Sequence, residues 1–214
     1  MNISLPDLRQ NYHSGGLLET EAEANPFKQF EIWLKQALAA ELIEPNAMTL
    51  ATVNREGKPT ARMVLLKGFN ENGFVFFTNY DSHKGNHLKE NPWAALVFWW
   101  GELERQVRIE GKVEKVSQQE SDLYFQNRPN GSQLGAYVSP QSQVIESREI
   151  LDLRLRDFQQ KFKDRVIPRP SHWGGFRVIP SQIEFWQGRT NRLHDRLRYR
   201  LLNDGTWLRE RLAP

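Results

Sequence analysis

From Ala47 onward the chain alternates short β-rich runs with tight turn signals, and this texture limits the fold more than any other feature. The runs lie at 48–53, 61–67, 74–78, 94–100 and 106–116. Between them stand Asn54-Arg55-Glu56-Gly57 and Asn70-Glu71-Asn72-Gly73, both strong turn sequences. Strands this close together, joined by such short loops, predict an antiparallel meander that packs or closes on itself. Strand texture returns at 173–179, 182–187, 192–201 and 206–211.

Helices decorate this β framework. Asn25-Pro26 supplies an N-cap and a first-turn proline, and Phe27, Phe30, Leu34, Ala37 and Leu38 form an apolar stripe that ends near Leu42. A helical insertion at 82–91 has Ser82 as its cap and Pro92 as its stop, and Ser117 with Glu120 forms a capping box for a helix at 117–127. Residues 146–163 are amphipathic, with Leu151, Leu155, Phe158 and Phe162 on one side, while 128–143 reads as a long Pro-, Gly- and Ser-rich loop. The reading is a mainly β fold with helices (α+β), a Greek-key-like antiparallel barrel over 25–214, preceded by a polar arm at 1–24.

Composition narrows the chemistry. With no cysteine among 214 residues, disulfides, thiolate metal sites and cysteine nucleophiles are excluded. The N-terminus has no apolar signal core, and the longest apolar run, at 94–100, is far short of a membrane span, so a soluble, cytoplasmic protein is expected. A net charge of +3 fits a small anion as well as it fits nucleic acid. There is no G-x-G-x-x-G and no Walker motif, and His83 and His87 are the one close pair among five histidines, so no metal site is expected.

Cationic groups recur where strands end or helices begin. Arg62 and Lys67 bracket an apolar run and would face opposite sides of a regular strand, serving either two neighbouring anions or only solvent. His83 and Lys84 sit in the first turn of a helix, where basic residues oppose the dipole unless an anion is present. Tyr124, Arg128 and Ser132 form a phosphate-type donor set, with Gln141 and Ser142 following in the same loop. Near the C-terminus, Arg192-Leu193-His194-Asp195-Arg196 on a strand would turn Arg192, His194 and Arg196 to one face. That face is either an anion site or a charged edge that discourages strand pairing.

In their order along the chain these segments resemble the pyridoxine/pyridoxamine 5'-phosphate oxidase family. The matching pieces are R-M-V-L-L-K at 62–67, F-F-T-N at 76–79, S-x-K at 82–84, E-R-Q-V at 104–107 and N-R-P at 127–129. They continue with Q-S at 141–142, W-G-G-F-R-V at 173–178, I-E-F-W-Q at 183–187, R-L-H-D-R at 192–196 and a final R-L-A-P. The resemblance implies an FMN-binding split β-barrel and a homodimer with FMN at the subunit interface. It assigns Arg62 and Lys84 to the FMN phosphate. Met63, Val64, Leu65, Leu66, Lys67, Phe77, Thr78, His83, Gln106, Gln141, Ser142, Trp186 and Arg196 complete the cofactor set. Lys67, Tyr124, Arg128 and Ser132 would bind the substrate phosphate, Arg192 and His194 would sit over the substrate ring as the catalytic pair, and Arg9 and Tyr12 would belong to the covering arm. The implied reaction oxidises pyridoxamine or pyridoxine 5'-phosphate to pyridoxal 5'-phosphate, with hydride passing to FMN and oxygen yielding hydrogen peroxide.

Two departures from the family pattern stand out. His83 replaces a common arginine, so FMN retention is expected to be more pH-dependent. Arg189-Thr190-Asn191 is bulkier than the small residues expected there and adds a cation. Three other readings compete: an oxidase of phenazine precursors, a flavin- or pyridoxal-phosphate-binding protein without activity, and a nucleic-acid-binding barrel drawing on five arginines between Arg189 and Arg200. The phosphate set opposes the first, and Arg192 with His194 opposes the second.

Overall fold

A computed structural model describes residue 12 and residues 15–214. Among these, five helices and nine strands follow one another as α1 (Pro26–Ala39), β1 (Ala47–Val53), β2 (Pro59–Leu65), β3 (Gly68–Asn70), β4 (Gly73–Asn79), α2 (His83–Glu90), β5 (Trp93–Trp100) and β6 (Arg105–Lys115). Then come α3 (Gln118–Gln126), α4 (Asn130–Val138), α5 (Glu149–Lys161), β7 (Trp173–Gln187), β8 (Asp195–Leu201) and β9 (Trp207–Arg211). The strands form one sheet in the order β2-β1-β5-β6-β7-β4-β3, with β8 added to β7 and β9 to β8. Pairings β3–β4, β4–β7, β7–β8 and β8–β9 are antiparallel. Mainly β with helices is therefore the observed class.

The chain clusters into two compact units. The first holds the described residues within Met1–Thr49, Ala95–Glu110 and Pro180–Pro214, and the second holds Leu50–Ala94 and Gly111–Ile179. In the first unit, Asn25 Oδ1 accepts from the Phe27 amide at 2.8 Å and starts α1 where expected. The buried stripe of α1 differs in detail, because Trp33 is buried while Leu38 is exposed. Aromatic breadth explains the shift: Trp33 meets Phe185 edge-on at 5.2 Å, and Phe30 packs on Phe98 at 5.1 Å.

In the second unit the 128–143 segment is not a continuous loop, since α4 occupies Asn130–Val138. Its Asn, Gly and Ser residues have poor helix propensity, and tertiary contacts override it. Leu134 and Ala136 join Phe125, Ile167 and Trp173 in a buried cluster. Gln133 Nε2 reaches the carbonyls of Phe125, Gln126 and Arg128 at 3.0, 3.1 and 3.2 Å, tying the new helix to the end of α3. Leu155, Phe158 and Phe162 of the α5 region pack partly against the same cluster.

Two strand expectations also change. The runs at 173–179 and 182–187 are one strand, β7, which continues through Pro180. Proline lacks a ladder donor, and here it falls between two ladders, because β4 pairs up to Val178 and β8 pairs from Gln182. The run at 192–201 begins as a strand only at Asp195; Thr190–Arg192 form a 3-10 turn closed by the Leu193 amide on the Thr190 carbonyl at 3.1 Å. Arg192 and His194 therefore leave the alternating face on which Arg196 stands.

Phe30 is fully buried between Phe98 and Trp100. Phe30→Ala is expected to cost about 3–5 kcal/mol in urea unfolding, the usual range for a large buried aromatic.

Candidate functional site

The second unit encloses a cavity of about 610 Å³. Twelve sequence-expected residues line it: Arg62, Met63, Val64, Leu65, Lys67, Phe77, Thr78, Lys84, Tyr124, Arg128, Ser132 and Gln141. Arg62 and Lys67 share the cavity despite their odd spacing, because β2 ends at Leu65 and Lys67 lies beyond the regular alternation. Leu66, His83 and Ser142 are not among the lining residues. The wall also holds Asn79, Pro129, Gly135, Ala136, Ser139 and Trp173, which the sequence reading had not assigned. Trp173 was legible as part of W-G-G-F-R-V, but four of the others became neighbours only through α4 and the residues flanking it.

Three of the cations, Arg62, Lys84 and Arg128, are held by neutral oxygen atoms or an aromatic face. Arg62 Nη1 donates to the Leu50 carbonyl at 2.9 Å and to Thr52 Oγ1 at 2.8 Å, and its Nη2 donates to Thr60 Oγ1 at 2.5 Å. Thr60 and Arg62 are two apart on β2, so the strand period turns both to one side. Lys84 Nζ donates to Thr78 Oγ1 at 3.3 Å and Gln141 Oε1 at 3.0 Å, and Thr78 Oγ1 also donates to Gln141 at 3.1 Å. Ser82 caps α2 as expected, with Oγ accepting from the Gly85 amide at 3.3 Å. Gly85 is required there, since a Cβ would lie 2.1 Å from the Tyr80 carbonyl oxygen. Burial, and then the nearby Arg62 charge, push the Lys84 pKa below its ordinary value.

The opposite side is aromatic. Phe77 stacks on Tyr124 at 3.8 Å and lies nearly parallel to Trp173, whose face carries the Arg128 guanidinium at 4.4 Å. Arg128 Nη1 is buried and has no hydrogen-bond partner among the described residues. A cation–π contact contributes about 0.5–2 kcal/mol, whereas a buried donor left unsatisfied costs about 1–3 kcal/mol. An acceptor placed against Nη1 would remove that cost. Among the described residues, four cations and no carboxylate line the cavity, so the arrangement fits anionic ligands carrying phosphate groups.

A second group of expected residues lies in the first unit. Tyr12, Trp186 and His194 form an aromatic triangle, with centroid distances of 5.7 Å for Tyr12–Trp186, 5.7 Å for Tyr12–His194 and 4.6 Å for Trp186–His194. The Arg189 amide donates to His194 Nδ1 at 3.1 Å, which leaves the proton of the neutral ring on Nε2. Burial, and then Arg192, push the His194 pKa down. Arg192 is exposed at φ +61°, next to Asn191 at φ +56°. Two consecutive left-handed non-glycine residues cost about 1–3 kcal/mol each, and such strain concentrates at functional positions. Arg196 is held by Glu184 at 2.8 Å and by the Ala213 carbonyl at 2.8 Å. Gln106 is half-buried on β6, and Arg9 lies outside the described residues. Among the described residues no cluster of three or more His, Asp or Glu could hold a metal ion, and no helix is long and apolar enough to cross a membrane.

The fold has counterparts among known proteins. A pyridoxamine 5'-phosphate oxidase-related FMN-binding protein from Nostoc punctiforme has a similar structure (TM-score 0.70, 20% identity, 86% of this chain and 97% of that one). So does PhzG from Burkholderia lata in complex with tetrahydrophenazine-1-carboxylic acid (TM-score 0.87, 28% identity, 94% and 99% coverage). The fold is thus that of the FMN-binding split barrels. The family model for pyridoxamine 5'-phosphate oxidase matches residues 34–162, and that for the pyridoxine 5'-phosphate oxidase C-terminal dimerisation region matches 173–214. The pyridoxine/pyridoxamine 5'-phosphate oxidase of Trichormus variabilis is 64% identical over the full length of both chains. That of Synechocystis is 62% identical over 99% of each. This chain belongs to the pyridoxine/pyridoxamine 5'-phosphate oxidase family.

The cavity's support gives a pH signature. His87 is buried, with Nδ1 3.4 Å from Thr52 Oγ1, and its pKa is pushed below 6.5 by burial and then by His83 and Arg62. The unfolded chain then binds the proton more readily, so folding stability is fully present above the ordinary histidine value and falls as pH drops below it. His87→Asn is expected to flatten the slope of unfolding free energy between about pH 7 and 5, measured by denaturant titration.

Proposed function

We propose that the cavity binds a phosphorylated B6 vitamer beside FMN, and that the chain oxidises pyridoxamine 5'-phosphate and pyridoxine 5'-phosphate to pyridoxal 5'-phosphate with oxygen as acceptor. One observation carries the reading: a cavity lined by four cations and no carboxylate, in which Arg128 Nη1 is buried and unsatisfied. The full-length relatives at 60–64% identity support it. FMN, when bound, supplies the hydride acceptor that no side chain offers.

The chain's own residues bind and orient. Lys67, Tyr124, Arg128 and Ser132 take the substrate phosphate, turning binding energy remote from the reacting carbon into orientation. Arg62 and Lys84 take the FMN phosphate, with His83 beside them. Met63, Val64, Leu65, Leu66, Phe77, Thr78, Gln141 and Ser142, together with Gln106, Trp186 and Arg196, contact the rest of FMN. Arg192 faces the substrate ring, and His194 presents its Nε2 proton to the reacting end, consistent with the Arg189 amide occupying Nδ1. The active form is a homodimer with FMN at the subunit interface, a reading supported by the match of 173–214 to a dimerisation region. Tyr12, packed against Trp186 and His194, belongs to the covering arm, and the enzyme works in the cytoplasm.

The structural likeness to PhzG raises the phenazine alternative. The aromatic-backed set favours the phosphorylated substrate, because a phosphate offers three acceptor oxygens to Lys67, Tyr124, Arg128 and Ser132 together, one more than a carboxylate. Arg128→Ala is expected to raise KM for pyridoxamine 5'-phosphate about ten- to a hundredfold, the loss of one charged hydrogen bond of about 1.5–3 kcal/mol. KM for unphosphorylated pyridoxamine should stay within about twofold. An unchanged KM for the phosphorylated substrate removes Arg128 from its site. Arg192→Ala is expected to lower peroxide-producing turnover far more than FMN content; equal losses would assign Arg192 to the cofactor.

A further inference from the structure

Arg189 is a position where this chain departs from the small residue expected, and its contacts are specific. Its Nη1 donates to the Gly15 carbonyl at 3.3 Å and lies 3.6 Å from Asp195 Oδ2. The guanidinium packs so closely on Gly16 that a Cβ there would come within 2.5 Å of Nη1. Its own backbone amide holds His194 Nδ1. The preceding residue, Gly188, is just as tightly covered, since a Cβ would lie 2.8 Å from the Tyr12 ring. One residue thus touches the N-terminal segment with its side chain and His194 with its backbone.

Asp195 completes the connection. It accepts from the Leu17 amide at 3.1 Å and from Arg211 Nη1 at 2.7 Å, and Arg211 in turn grips Glu19 at 2.6 and 2.7 Å. The Glu19–Arg211 pair therefore anchors the segment independently of Arg189, and Arg211 holds the Glu19 carboxyl down to about 2. Arg189 itself is half-exposed, so its ion pair contributes little to global stability. Its effect is local.

Resting on the oxidase reading above, we propose that Arg189 is a positioning residue that couples seating of residues 15–17 to the orientation of the His194 ring. When Gly15 and Asp195 hold the guanidinium, the backbone at 189 is fixed, and the Arg189 amide keeps His194 in the tautomer that carries its proton on Nε2. Releasing the side chain frees both the segment and the amide. The substrate then meets a looser cover and a histidine whose proton is shared between its two nitrogens.

The test compares FMN-loaded full-length protein with Arg189→Ala and Arg189→Lys. In Arg189→Ala, hydrogen exchange at residues 15–17 is expected to rise about two- to fivefold, the loss of one exposed polar link. KM for pyridoxamine 5'-phosphate should rise by a similar factor at unchanged FMN content and melting temperature. Nitrogen-15 NMR of His194 near pH 8 should show a protonated Nε2 in the unmodified chain and a tautomer mixture in the alanine variant. Lysine, which keeps the charge toward Asp195, should restore part of each effect. Unchanged exchange at 15–17, or an unchanged His194 tautomer, overturns the proposal. Increased exchange with unaltered KM overturns the link to substrate. Absence of turnover in the unmodified chain would refute the oxidase reading instead, and the exchange and NMR results would still decide the coupling.

Discussion

Positive charge gathered on one cavity without a carboxylate is the constraint on which the rest of the second unit depends. Like charges about 4 Å apart repel by roughly 4 kcal/mol at an effective dielectric constant of ~20, more than a surface ion pair returns. The fold holds three of these cations in place with neutral groups: Thr52, Thr60 and the Leu50 carbonyl for Arg62, Thr78 and Gln141 for Lys84, and the Trp173 face for Arg128. Acidic partners would hold them more firmly but would compete with a phosphate. The lowered pKa of Lys84 comes first from its burial and then from the Arg62 charge, and an incoming anion would offset both.

Several arginines near the C-terminus, in the first unit, are treated in the opposite way. Arg196 is met by Glu184, Arg198 and Arg200 by Glu210, and Arg211 by Glu19 and Asp195. Four of the five arginines from 189 to 200 thus face a carboxylate. Counting arginines cannot separate the two cases; the presence or absence of a facing carboxylate does. Arg192 is carried instead on a strained, exposed turn beside His194.

Much of this was legible in the sequence, and the exceptions have physical causes. Caps at Asn25, Ser82 and Ser117 are local, so α1, α2 and α3 begin where expected. The helix α4 was not legible, because its composition argues for a loop and only burial of Leu134 and Ala136 beside Phe125 stabilises it. The turn at 190–192 was hidden for a related reason: alternating charge mimics a strand, whereas the backbone is set by a turn hydrogen bond and two left-handed residues. Cavity-lining residues in local motifs, such as Arg62, Lys84 and Arg128, could be named from sequence. Their supports, including Thr52, His87 and the Trp173 face, depend on contacts between distant segments.

The most direct test of the central claim is the visible spectrum of the purified protein loaded with FMN, followed as pyridoxamine 5'-phosphate is added without oxygen. A phosphate-binding cavity beside FMN predicts bleaching of the flavin absorbance by the phosphorylated vitamer, recovery on admitting air, and no comparable bleaching by unphosphorylated pyridoxamine at the same concentration. An unchanged flavin spectrum after the phosphorylated vitamer is added would contradict it.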